Sequence, residues 1–123
     1  MRFLLSENSA EGFPLVLASG PISEQSLVEL GRFLRKTCEA RQVGGVIIDC
    51  GAIEGALTTE ELYRTAPNYT QAVGRTLKVA YINPPAQWAP SDDRFSRDVA
   101  FNLGALLELF ETVDDAVQWL RSS

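Results

Sequence analysis

No histidine occurs among the 123 residues, and that absence removes more chemistry than any residue present suggests. Imidazole is the usual general base near neutral pH and the commonest metal ligand. Ser-His-Asp and Cys-His nucleophile pairs, H-E-x-x-H zinc sites and phosphohistidine relays all need one. What remains is the chemistry of carboxylates, lysine, tyrosine or thiol, or no chemistry at all. Cysteine is scarce too: Cys38 and Cys50 form no C-x-x-C, matching neither a zinc nor a thioredoxin spacing, so reduced thiols are expected and neither a metal nor a cofactor is. Clustered cations are missing. Eleven Lys and Arg face 16 Asp and Glu, a formal charge of −5 at pH 7, and no basic run exceeds Arg35 with Lys36. Nucleic acid and an anionic membrane surface both need a basic patch that this chain lacks. Long apolar runs are absent as well. Phe3 to Leu5 is closed off by Ser6 and Glu7, too short for a signal peptide or a bilayer span, and the expected compartment is the cytoplasm.

What is present suits one globular domain over residues 1–123. The apolar fraction is 46% and the charged fraction 22%, ordinary for a folded protein and far from the signature of disorder. The short apolar runs Phe3 to Leu5 and Phe13 to Ala18 flank a polar segment, which predicts a hairpin. After Ser19, Gly20 and Pro21 the period changes. Ser23 is placed as an N-cap, Leu27, Leu30, Leu34 and Cys38 recur at helical spacing, and Gly44 with Gly45 is expected to stop this first helix. Val46, Ile47 and Ile48 predict a buried parallel strand ending at Asp49. Thr58 and Glu61 have capping-box spacing before a helix with Leu62, Ala66, Tyr69 and Val73 on one face, where Pro67 predicts a kink or an early end. Leu77 to Ile82 reads as a strand and is followed by an irregular stretch from Asn83 to Pro90. Ser91 or Asp92 opens a third helix with Phe95, Val99 and Leu103 inward, closed by Gly104. Leu106 to Phe110 is the last strand. Thr112 and Asp115 cap a final helix lined by Val113, Ala116, Val117 and Leu120. The order β-β-α-β-α-β-α-β-α is that of an α/β protein with a mixed, mostly parallel sheet and packed helices.

V-I-I-D at 46–49, the helix opening T-T-E-E-L at 58–62 and the closing F-E-T-V-D-D-A-V-Q-W-L at 110–120 resemble the STAS domain family, the anti-sigma-factor antagonists of the SpoIIAA type and their relatives. The similarity covers nearly the whole chain, with no single diagnostic motif. It is nearest to a SpoIIAA-like branch whose members also end in a Phe followed by an Ala-x-x-Trp-Leu helix. The resemblance implies a bacterial, non-enzymatic module that binds a partner protein, a nucleotide or an apolar ligand, with switching by phosphorylation. In the antagonists a D-S-S/T-G-L segment opening the second helix carries the phosphorylated hydroxyl. Counted from Asp49, Thr58 stands at the motif's Asp, Thr59 at the phosphoacceptor and Leu62 at its Leu, while Glu61 replaces its Gly. The bland alternative is that Thr58 and Thr59 only cap the helix.

Ligands in open parallel sheets gather at the carboxyl ends of the strands, here Asp49 to Gly51, Asn83 to Pro85, and Phe110 with Glu111. Asp49, Thr58, Asn83, Pro85 and Trp88 are therefore the candidate ligand- or partner-binding residues. Trp88, in a stiff loop with Pro84, Pro85 and Pro90, is the natural anchor, unless it folds back over a sheet edge. A second function follows from the same loop, a carrier of a small apolar or anionic ligand bound near residues 83–90. Cys50 as a nucleophile has no neighbouring cation in sequence to lower its pKa. Asp92, Asp93 and Asp98 lack the spacing of a calcium loop, and the glycines at 44, 45, 51 and 55 fit neither G-x-G-x-x-G nor a P-loop. A homodimer through an uncovered sheet edge or the apolar loop is the remaining expectation.

Overall fold

The structure is a computed structural model, and it describes residues 1–7, 9–83 and 106–122, with the backbone alone at Thr59 and Leu106. Strands β1 (Arg2–Leu5), β2 (Leu15–Pro21), β3 (Gly45–Glu54), β4 (Lys78–Ile82) and β5 (Leu106–Phe110) form one sheet in the order β1-β2-β3-β4-β5. The first pair is antiparallel and the other three are parallel. Glu11 and Gly12, both at positive φ (51° and 91°), turn the chain between bridge partners Ala10 and Phe13, a left-handed pair of the kind that tight two-residue hairpin turns require.

Helices α1 (Glu24–Arg41) and α2 (Thr59–Val73) cover one face of the sheet. Val16, Ala18, Val46, Ile48, Cys50, Val79 and Tyr81 point from the strands into Leu30, Leu34, Cys38, Tyr69 and Val73 of these helices. The intervening strand residues Ile47, Ala80 and Ile82 face the other way, into Ala116, Val117 and Leu120 of α3 (Val113–Arg121). The two-residue alternation along the strands thus divides the core into two layers. The close approach of α1 to α2 depends on Gly31, where a Cβ would lie 3.2 Å from Ala72 Cβ and 3.3 Å from Tyr69 Cδ2. Lys78 secures α3: its ammonium donates to the carbonyls of Trp119 (2.6 Å) and Ser122 (2.7 Å) and lies 4.4 Å from the Trp119 ring centroid. A cation at a helix C-terminus complements the helix dipole.

The three N-caps read from the sequence within the described residues are present. Ser23 Oγ accepts from Ser26 N (3.1 Å), Thr58 Oγ1 from Glu61 N (3.1 Å) and Thr112 Oγ1 from Asp115 N (3.1 Å). Other expectations are corrected. β2 runs on through Ser19 and Gly20 to Pro21 instead of ending at Ala18. Helix α1 ends on Gln42 at φ 56°, in the left-handed region, whose amide reaches back to the carbonyl of Glu39, so Gly44 and Gly45 are not its stop. Of the two alternatives at Pro67 the early end is excluded, because helix α2 passes through it as one element. Strand β3 does not end at Asp49 but continues to Glu54. The third helix expected from Ser91 or Asp92 to Gly104 lies outside the described residues.

Candidate functional site

Asp49 marks the point where two ladders part. The β3–β4 register runs from Gly45↔Lys78 to Asp49↔Ile82, whereas β3 stays paired with β2 as far as Pro21↔Glu54. An irregularity between Leu17 and Ser19 accommodates one extra residue of β3, the defining feature of a β-bulge. Its effect on side chains is direct: Cys50 and Ile53 both point into the α1–α2 core, and Gly51 with Ala52 between them is exposed. Asp49 Oδ1 accepts from the amide of Gly51 (2.9 Å) and lies 3.4 Å from Asn83 Nδ2. A Cβ at Gly51 would come within 3.2 Å of that same carboxylate oxygen, so glycine leaves the space in which the carboxylate turns back on the strand. Asn83 follows β4 at φ 53°, a conformation asparagine tolerates better than most residues. Two of the predicted residues, Asp49 and Asn83, are thereby brought together.

Thr58 and Thr59 sit at the start of α2. Thr58 is the N-cap, and its capping box is complete, because Glu61 Oε1 in return accepts from Thr58 N (2.9 Å). Thr59 is the first helical residue. The Thr58 hydroxyl accepts from Glu61 N within this box, separate from the Asp49–Asn83 pair. Pro85 and Trp88 lie outside the described residues.

A neighbouring feature escaped the sequence reading. Glu24, in the first turn of α1, accepts two hydrogen bonds from Arg64 of α2 (2.8 Å each) and one from Thr65 Oγ1 (2.9 Å). These bonds, Arg64 foremost, hold the Glu24 carboxyl below its ordinary value. Arg64 also lies 4.0 Å from Glu60. The partners are 40 and 41 positions apart, and only the packing of α1 on α2 makes them a cluster.

The thiols are not placed for nucleophilic work. Cys50 is fully buried beneath α1 and α2, and burial, reinforced by the charge of Asp49, pushes its pKa far up. Burial also raises Cys38, to about 11. A thiol with a raised pKa presents little thiolate. Beside Cys50 the hydroxyls of Tyr69 and Tyr81 hydrogen-bond to each other, both pushed up by burial. Among the described residues no group of three or more His, Cys, Asp or Glu could hold a metal ion, and no helix is long and apolar enough to cross a membrane.

A hairpin followed by alternating helices and parallel strands in sequential order, with the last helix on the opposite face, is a STAS-type α/β fold. A solved structure with this fold is similar to the chain from end to end: the anti-sigma factor antagonist SpoIIAA in its unphosphorylated form. The match covers 99% of this chain and 100% of that one, with a TM-score of 0.50 and 14% sequence identity. No family model matches the chain, and no curated protein does.

Proposed function

We propose that the chain is a non-enzymatic binding and regulatory module that works through contact with a protein partner, and that phosphorylation of Thr59 switches this contact. The supporting observation is the position of Thr59 as the first residue of a capped, 15-residue helix, in a fold similar along its length to an anti-sigma factor antagonist. A phosphate at that position meets unpaired N-terminal amides and the positive end of the helix dipole. It also meets Glu60 and Glu61. Glu61 already occupies the Thr58 amide, so a phosphate competes with a like charge for the same end of the helix. The modified first turn differs from the unmodified one in both charge and capping, and that difference is what a partner reads. Thr58 and Glu61 in place of the antagonists' Asp and Gly point to a kinase and partner other than theirs. The sealed Cys50 thiol favours binding over catalysis.

The test uses the full chain with Thr59→Ala and with Thr59→Glu as baits in extract from its own source. A protein retained by one variant and released by the other is the expected outcome. Identical capture by both, or turnover of a metabolite by the isolated chain, contradicts the proposal. The Asp49–Asn83 pair, where the β3–β4 ladder ends, supports the second reading, a carrier of a small apolar or anionic ligand near residues 83–90. In that case Trp88→Ala releases the ligand without unfolding the chain.

A further inference from the structure

Three of the four large exposed hydrophobic residues among those described lie on β1 and its neighbour: Leu4 at 58%, Leu17 at 40% and Leu5 at 36% exposure. β1 is an edge strand. Leu4 and Leu17 are register partners on the face opposite α1 and α2, since Val16 and Ala18 on either side of Leu17 enter the α1–α2 core. Helix α3 packs over β3, β4 and β5, away from this leucine pair, which is exposed among the described residues.

The hydrogen-bond phase of β1 determines what its outer edge offers. Ser6 N donates to Leu15 O (2.8 Å), so the backbone groups of the even-numbered residues face β2, and those of Phe3 and Leu5 face outward. An exposed row of this kind is a template for another strand. We infer that β1 pairs antiparallel with β1 of a second copy, centred on Leu4, to form a weak dimer with a continuous ten-stranded sheet.

The register follows from symmetry. A two-fold axis that joins two antiparallel edges into one sheet runs normal to the sheet, and it pairs only residues that point to the same face. Four centres within β1 satisfy this; one at Arg2 sets two guanidinium groups directly opposite each other, a destabilising like-charge pair, which leaves Phe3, Leu4 or Leu5. Centring on Phe3 sets the charge of Arg2 against Leu4 of the second copy, and centring on Leu5 sets Glu7 against Phe3. Centring on Leu4 avoids both mismatches, placing Arg2 opposite Ser6. Phe3 and Leu5 of opposite copies then exchange their outward backbone hydrogen bonds, and Leu4 meets itself in a non-hydrogen-bonded pair, where side chains approach most closely. The two leucine pairs become one stripe, running from Leu17 through both Leu4 residues to the second Leu17. Strands of four residues and three leucines a side fall well short of the roughly 800 Å² per partner of a standard interface, so association is reversible.

Sedimentation velocity across a concentration series of the full chain is the test, with far-UV circular dichroism to confirm folding. Wild type is expected to show a concentration-dependent dimer, and Leu4→Lys, which sets two ammonium groups against each other, to weaken it at least tenfold. Under mild oxidation Leu4→Cys should crosslink to itself, because the Cα separation of such a pair, about 4.5 Å, suits a disulfide, whereas Leu5→Cys and Leu17→Cys should not. The native thiols are buried and do not compete. A folded wild type that stays monomeric throughout, a dimer indifferent to Leu4→Lys, or crosslinking at Leu5→Cys in place of Leu4→Cys overturns the inference.

Discussion

Burial in the α1–α2 layer gives the two cysteines their character. Leu30, Leu34 and Tyr69 in the same layer exclude the water a thiolate needs. The unfolded chain releases the Cys38 proton near the ordinary value of 9.0, whereas the folded chain holds it to about 11. The folded state therefore binds this proton more tightly, and the stabilisation is complete below about pH 9 and lost as pH rises through 11. Cys50 acts in the same direction. Denaturant midpoints measured from pH 7 to pH 11 should fall above pH 9, and the Cys38→Ala, Cys50→Ala double variant should show a shallower fall. A native chain whose cysteines label with a thiol reagent as fast as the denatured chain would contradict this account of both residues.

The elements divide by how much of their definition is local. Caps were legible because a hydroxyl at Ser23, Thr58 or Thr112 meets a backbone N–H three residues on, within the span a reader can count. The end of β3 was not. V-I-I-D at 46–49 carries the apolar run, and the continuation through Gly51 and Ala52 depends on a bulge against β2, a strand separated from it by a whole helix. For the same reason the Glu24–Arg64–Thr65 cluster and the Tyr69–Tyr81 bond left no trace in spacing. The α1–α2 crossing that creates the first of these rests on Gly31. Replacement by Leu overpacks the crossing and should cost about 1–3 kcal/mol, measured by urea denaturation, with loss of the Glu24–Arg64 contact. Unchanged stability would show that the helices can separate freely at that point.

At the scale of the whole molecule, connectivity was more readable than chemistry. Alternating strand and helix periods, with an edge hairpin in front, leave few ways to build one sheet, and 14% identity to SpoIIAA accompanies coverage of nearly every residue of both chains. The candidate site was legible in part. Asp49 and Asn83 meet where the β3–β4 ladder ends, although β3 itself runs on to Glu54, and Thr59 stands at the head of α2, but Pro85, Trp88 and the third helix fall outside the described residues. A site made of exposed polar groups at element ends has no periodicity to announce its partner.

The proposed role of this fold is a switch at Thr59, neither a catalyst nor a carrier. Native and denaturing mass spectrometry, side by side on protein purified from its own source, test it most directly. A phosphate-sized increment that survives denaturation and maps to Thr59 is the predicted result. An increment present only under native conditions, with Thr59 unmodified, would contradict the claim in favour of the ligand carrier.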